Sequence, residues 1–73
     1  MKVEFFHWAS LNGWSVLADN EVIGSLAQEV SGSLRFYPRI SIDNNFPLMQ
    51  CVEIKKSIAD FITIQRVTAR LTS

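Results

Sequence analysis

The amino-terminal part of the chain has the alternation of bulky apolar and polar residues that is typical of β-strands. Four segments have this strand character, and residues that favour turns follow each of them. The segments are Lys2–Ala9, Trp14–Ala18, Glu21–Glu29 and Ser33–Ile42. The intervening turns contain Asn12-Gly13, Asp19-Asn20 and Ser31-Gly32. Because the connections are short, we predict an antiparallel β-meander of three or four strands.

From Leu48 onward the apolar residues recur at steps of three and four, which is the pattern of one face of a helix. We expect Ile54, Ile58 and Phe61 on this face to pack against the sheet. Residues 62–68 are rich in β-branched side chains and would also suit a further strand. No Gly or Pro separates them from the helix, which favours a long helix with a frayed end. The predicted fold is α+β: one domain spanning residues 1–73, with a single C-terminal helix on one face of the meander.

Strand pairing assigns each strand residue to a face of the sheet, because side chains alternate across it. Two-residue turns at Asp19-Asn20 and Ser31-Gly32 would pair Leu17 with Val22 and Leu26 with Tyr37. The resulting helix-side face is almost wholly apolar: Trp14, Val16, Ala18, Ile23, Ala27, Leu34, Phe36, Ile40 and Ile42. We expect this face to form the core under the helix.

The opposite face would have an apolar centre with a polar rim, which is typical of a surface that binds another protein. We call its six candidate contact residues the predicted partner patch: Leu17, Val22, Leu26, Arg35, Tyr37 and Arg39. Three alternatives stay open at this point. The first strand or the end of the chain would cover the patch, or the patch would be ordinary surface. A shift of one residue in register would exchange the two faces.

Composition narrows the classes of function. The chain has 73 residues, of which 48% are hydrophobic and 19% charged, as in globular proteins. No apolar run approaches the roughly 20 residues that span a bilayer, and the first residues lack the features of a signal peptide. We therefore expect a cytoplasmic protein without membrane contact. A domain this short must pack well or gain burial from a partner.

Candidate catalytic residues are few. The single cysteine, Cys51, lies on the apolar helix stripe and is expected to be a buried structural residue. The single histidine, His7, alternates with Val3 and Phe5 and is expected to be half-buried. The carboxylates are scattered one by one, and the glycines form no phosphate-binding loop. We therefore predict a protein that is not an enzyme and has no cofactor, metal site or catalytic residue.

The segment Arg35-Phe36-Tyr37-Pro38-Arg39 is the one locally basic and aromatic stretch. Alternation places Arg35, Tyr37 and Arg39 on one side, where arginine would hold phosphate and tyrosine would stack on a base. Seven Lys and Arg residues balance seven Asp and Glu residues, so the chain lacks the broad positive field of most nucleic-acid-binding proteins. The same three residues suit an acidic protein surface. Binding to another protein, or to a second copy of this chain, is thus the main hypothesis, and a small nucleic-acid-binding module is the alternative.

The arrangement of turn and aromatic residues resembles small β-meander-plus-helix accessory proteins of phages and mobile elements. The resemblance spans roughly residues 13–61. It depends on Gly13-Trp14-Ser15-Val16, Asp19-Asn20, Ile23-Gly24-Ser25-Leu26 and Arg35-Phe36-Tyr37-Pro38. Such proteins commonly bind a host protein, in some cases as inhibitors of defence systems. The resemblance therefore implies a binding protein, and a host protein as its partner.

Overall fold

The fold is described from a computed structural model, which covers residues 1–9 and 12–72, with side chains up to residue 68. Four strands are followed by a short helix and a long helix. They are β1 (Val3–His7), β2 (Gly13–Ala18), β3 (Glu21–Gln28), β4 (Leu34–Pro38), α1 (Ile42–Asn45) and α2 (Leu48–Thr72). The α+β class and the antiparallel meander are confirmed.

The four strands form one open sheet in the order β1-β2-β3-β4, so each strand pairs with its neighbour in sequence. The β2–β3 turn has Asp19 and Asn20 at φ of 49° and 70°. Positive φ at both central residues is the requirement of the type I′ hairpin turn, and Asp and Asn tolerate it better than most residues. The predicted two-residue turn is therefore correct at this position. The predicted turn at residues 10–13 falls partly outside the described residues.

The register of β3 against β2 differs from the prediction beyond the first two pairs. Leu17 pairs with Val22 as expected, but Val16 pairs with Gly24 instead of Ile23. One residue of β3 is thus inserted as a β-bulge. Ile23 and Leu26 are both fully buried. Residues three apart in a regular strand point to opposite faces, so the bulge is what allows both side chains to enter the same core.

The register of β4 against β3 is also one residue from the prediction. Glu29 donates its N–H to the carbonyl of Ser33 at 2.9 Å, so the loop has three residues instead of two. Gly32 has a φ of 90°, as expected for the glycine that closes a three-residue hairpin loop. Leu26 therefore pairs with Phe36, and Tyr37 pairs with Ser25.

Helix α2 packs on one face of the sheet and buries one stripe of side chains. The core that it closes consists of Val16, Ala18, Ile23, Leu26, Ile42, Cys51, Ile54 and Ile58. Phe61 is half-buried, with its ring stacked on Phe5 at 4.1 Å between centroids and edge-on to Trp14 at 5.3 Å. The predicted packing of Ile54, Ile58 and Phe61 is confirmed, and so is the helical alternative for residues 62–68.

The end of the last strand differs from the prediction. The predicted strand extended to Ile42, but β4 ends at Pro38, and Ile42 begins α1. The Ser41 hydroxyl caps this short helix by accepting a hydrogen bond from the backbone N–H of Asn44 at 3.3 Å. Ile42 is still a core residue, because α1 directs it under α2.

Candidate protein-binding surface

Leu26 does not belong to the predicted partner patch. It is fully buried between the sheet and α2, and it pairs with the inward-facing Trp14 and Phe36. The prediction was wrong because the bulge at Ile23 reverses the direction of every later side chain in β3. For the same reason Ala27, which was predicted in the core, pairs with the outward-facing Arg35.

The predicted positions of Arg35 and Tyr37 are correct, although the register used to derive them was not. The bulge in β3 and the longer β3–β4 loop each reverse the side-chain direction once. The two reversals cancel in β4, so Phe36 faces α2 while Arg35 and Tyr37 point to the opposite side. Leu17 and Val22 pair with each other on that opposite side and are half-buried.

Arg39 follows the end of β4 and is exposed. It lines a groove of about 650 Å³ between the end of β4 and the two helices, together with Ile40 and Lys55. In the same groove the Lys55 ammonium donates a hydrogen bond to Asp43 at 2.9 Å. This bond and the Asp43 charge raise the pKa of Lys55. Arg39 therefore lies at this groove, next to the end of β4.

Two aromatic residues that were not predicted as contact residues lie on the same side as Tyr37. Phe6 pairs with Ser15, and the indole N–H of Trp8 donates to the Ser15 hydroxyl at 2.9 Å. The Trp8 ring lies directly over Gly13, where an added Cβ would be only 2.4 Å from the ring. Glycine at position 13 is thus what lets the indole approach the backbone of the sheet so closely.

The sequence contained a signal for these aromatic residues, because Phe6 and Trp8 alternate with Val3 and Phe5. The pairing of β1 with β2 was needed to assign them to a face. The connection between the two strands is too long for a two-residue turn to define the register. Strand β1 therefore contributes to the outer surface as well as to the core.

We define the outer face as the side of the sheet opposite α2. Its main side chains are Phe6, Trp8, Leu17, Val22, Arg35 and Tyr37. Within the described part of the chain, both helices contribute their buried residues to the other side of the sheet. Phe6 keeps 53% of its surface exposed and Tyr37 keeps 45%. The outer face is thus an apolar and aromatic surface that no described element covers.

Glu29 modifies the charge at one side of the outer face. Its Oε1 atom lies 3.5 Å from Arg35 Nη1 and accepts a hydrogen bond from the Tyr37 hydroxyl at 3.3 Å. The Arg35 guanidinium lies over the Tyr37 ring, 5.6 Å from its centroid. The carboxylate offsets the arginine charge next to the tyrosine, so this corner is polar and close to neutral. Sequence reasoning missed Glu29, since residues six and eight apart come together only through the β3–β4 hairpin.

The two candidate reactive residues lie apart from the outer face. Cys51 is buried as predicted, and its single S–H is shared between the backbone carbonyls of Ile42 and Phe46, with Sγ–O distances of 3.3 and 3.2 Å. His7 is exposed, not half-buried as predicted, because it lies near the end of edge strand β1 beside Trp14. Among the described residues, no group of three His, Cys, Asp or Glu side chains is arranged to hold a metal ion.

No helix in the described part of the chain is both long and apolar enough to cross a membrane. Comparisons with protein-family models, curated proteins and solved structures find no match to this chain. The resemblance to phage and mobile-element accessory proteins therefore stays a prediction.

Proposed function

We propose that this chain is a non-enzymatic protein-binding module that contacts its partner with the outer face. The supporting observation is the exposure of Phe6 and Tyr37 on a side of the sheet that no described element covers. Aromatic residues and arginine are the residue types most often found at binding hot spots. An apolar centre beside polar Arg35 and Glu29 has the composition of a protein interface.

The kind of partner follows from the resemblance and from the charges. A host protein, blocked by direct binding, is the partner that accessory proteins of phages and mobile elements commonly have. Arg35 would exchange its contact with Glu29 for a carboxylate of the partner at the rim of the interface. Because the Arg35–Glu29 pair is exposed, breaking it costs about 0–1 kcal/mol.

A nucleic-acid-binding module is the second candidate. Its support is the position of Arg35 over the Tyr37 ring, since arginine and an aromatic ring together suit a phosphate and a stacked base. Glu29 opposes this function, because its carboxylate lies against both residues and would repel a phosphate. The balance of seven basic and seven acidic residues adds no general attraction for a polyanion.

A binding experiment with matched variants tests the proposal. Tagged wild-type protein and the double variant Arg35→Ala, Tyr37→Ala are used to capture partners from lysate of the natural host, with and without nuclease. The control is Met49→Ala, which removes an apolar side chain that is 78% exposed at the start of α2. We expect a nuclease-resistant protein partner that the control retains. Its affinity for the double variant should be weaker by about 1–3 kcal/mol.

Two results would contradict the proposal. Equal binding of the partner by wild type and the double variant would exclude this side of the outer face. Loss of all captured protein after nuclease treatment would favour the nucleic-acid alternative. Far-UV circular dichroism of each variant shows that the comparison is made between folded proteins.

A further inference from the structure

The free edge of β1 has a complete set of unpaired backbone groups. Lys2 accepts a hydrogen bond from the N–H of Asp19 at 2.8 Å, and the N–H of Trp8 donates to Gly13 at 2.9 Å. In an antiparallel pair the residues that bond to the neighbouring strand alternate with residues that do not. Val3, Phe5 and His7 therefore direct both N–H and C=O away from β2, where the described chain places no further strand.

The other edge of the sheet is less suited to pairing. Arg39 donates to Ile23 and Ser33 accepts from Glu29, so the odd-numbered residues of β4 bond to β3. The free edge of β4 therefore consists of Leu34, Phe36 and Pro38, of which Pro38 has no N–H. A proline at this position is one of the ways in which proteins protect an edge strand. Strand β1 has neither a proline nor a bulge.

We infer that β1 pairs with β1 of a second copy of this chain, in antiparallel orientation, to give a two-fold symmetric dimer with one continuous eight-stranded sheet. The free groups of β1 are complementary to themselves, as an isologous interface requires. The zero formal net charge means that two copies do not repel each other as a whole.

The charge pattern of β1 selects one register among the symmetric ones. Centring the pair on Phe5 matches Phe5 with Phe5 and Val3 with His7, so all three free residues on each strand bond to the other copy. This register places Glu4 opposite Phe6 of the second copy. Centring the pair on Glu4 would instead bring two carboxylates face to face, which is destabilising. Centring it on Phe6 would leave Val3 beyond the end of the partner strand.

Side-chain positions support the same register. Phe6 is 53% exposed and, with Glu4, points to the outer face, so the cross-strand contact between them requires no rearrangement of the core. On the helix side, Phe5 is already held by its stacked contact with Phe61. Each strand thus presents a fixed Phe5 to its copy and a free Phe6 to Glu4.

A charge exchange at positions 4 and 6 tests both the dimer and its register. Sedimentation velocity over a range of concentrations measures the dimer dissociation constant of the wild type and of three variants. Phe6→Glu places a carboxylate opposite Glu4 twice per dimer and should raise this constant about tenfold or more. Phe6→Lys removes the same ring but places a positive charge opposite Glu4. The dimer of this variant should therefore dissociate less readily than the dimer of Phe6→Glu. The double variant Glu4→Lys, Phe6→Glu should restore dimerisation.

Other results would overturn the inference. A wild-type protein that is monomeric at all concentrations would exclude the dimer. Equal weakening by Phe6→Glu and Phe6→Lys, without rescue by the double variant, would exclude the register. Met49→Glu is the control on α2, where this side chain is 78% exposed, and it should leave the dissociation constant unchanged. If Arg35→Glu abolished a dimer that Phe6→Glu left intact, self-association would use the outer face or β4 instead.

Discussion

The aromatic side chains between β1 and α2 show how single residues hold this small domain together. The Phe61 ring is stacked on Phe5 and lies edge to face against Trp14. Offset-stacked and edge-to-face contacts are the arrangements that aromatic rings favour. The fully buried core side chains are aliphatic, apart from Cys51. The aromatic group thus extends the core at the side of the sheet where β1 lies.

Replacing Phe61 by Ala should lower the free energy of unfolding by about 3 kcal/mol, at the lower end of the range for Phe→Ala because the side chain is half-buried. Urea unfolding followed by circular dichroism measures this change. Ile64→Ala is the control, since this residue is one turn further along α2 and 58% exposed. An almost unchanged free energy of unfolding for Phe61→Ala would contradict the packing of Phe61 against Phe5 and Trp14.

Cys51 provides a second prediction for a single residue. Its thiol is buried and bonded to two backbone carbonyls that precede α2, so we expect a structural residue without catalytic function. In the native protein it should react with a thiol reagent only as fast as the domain opens, whereas the urea-unfolded chain should react at once. Rapid reaction of the native protein would show that the thiol is accessible.

At the scale of elements, hairpin geometry determines which side chains share a face. The β2–β3 hairpin has a two-residue turn and a bulge, while the β3–β4 hairpin has a three-residue loop. The bulge and the three-residue loop each shift the strand pairing by one residue relative to the prediction. The first turn is the more specific of the two connections, because both of its central residues have positive φ.

Substitutions at Asn20 test this turn. Asn20→Ala should cost about 1 kcal/mol, since alanine is disfavoured at a φ of 70°. Asn20→Gly should leave stability unchanged or raise it slightly, because glycine adopts this conformation without strain. Thermal unfolding of the two variants side by side provides the measurement. Equal losses would show that the side chain of Asn20, and not its backbone, stabilises the turn.

The contact between α1 and α2 has a defined dependence on pH. The hydrogen bond and charge of Asp43 raise the pKa of Lys55 in the folded protein. The protonated form is therefore stabilised by folding, and the contribution is present below the unfolded lysine pKa and lost as the pH rises through the folded one. The difference in melting temperature between wild type and Lys55→Gln should be positive at neutral pH and vanish in strong alkali. Lys56→Gln, at the next exposed residue, should show no such trend.

The whole molecule exposes more surface than its size requires. Its accessible area is 5248 Å², against about 4,600 Å² expected for a compact protein of 8.3 kDa. The longest dimension is 39 Å, close to the roughly 37 Å length of a 25-residue helix. Helix α2 is thus longer than the sheet it covers, and no element in the described part of the chain covers the other face of the sheet. This excess of surface is consistent with a domain that is completed by a partner.

The salt dependence of binding distinguishes the two candidate functions at this scale. A phosphate-binding site that spans Arg35 on the outer face and Arg39 at the groove should lose about tenfold in affinity between 50 and 200 mM salt, from the release of counterions at two phosphates. An apolar protein interface with one exposed arginine should lose less than about twofold. Titration of the captured partner at both salt concentrations measures the difference. A steep loss would argue against the protein-binding proposal.

The local pattern of the sequence determined the elements of this protein. Alternation identified four strands, the three-and-four spacing identified the helix, and Asp19-Asn20 identified one turn. These signals are local, because they depend on the direction of neighbouring side chains. The predicted core residues Val16, Ile23 and Ile58 were correct for the same reason.

Only the tertiary structure decided the register, and with it the candidate site. Ile23 and Leu26 can both be buried only if β3 contains a bulge. Local alternation does not predict this bulge, because it results from the burial of both side chains in the same core. The outer face therefore leaves out Leu26 and Arg39 of the predicted partner patch and includes Phe6 and Trp8. The strand alignment also brings Glu29 into contact with Arg35 and Tyr37, and it leaves β1 at a free edge. This alignment depends on loop length and on packing together, which the local pattern does not contain.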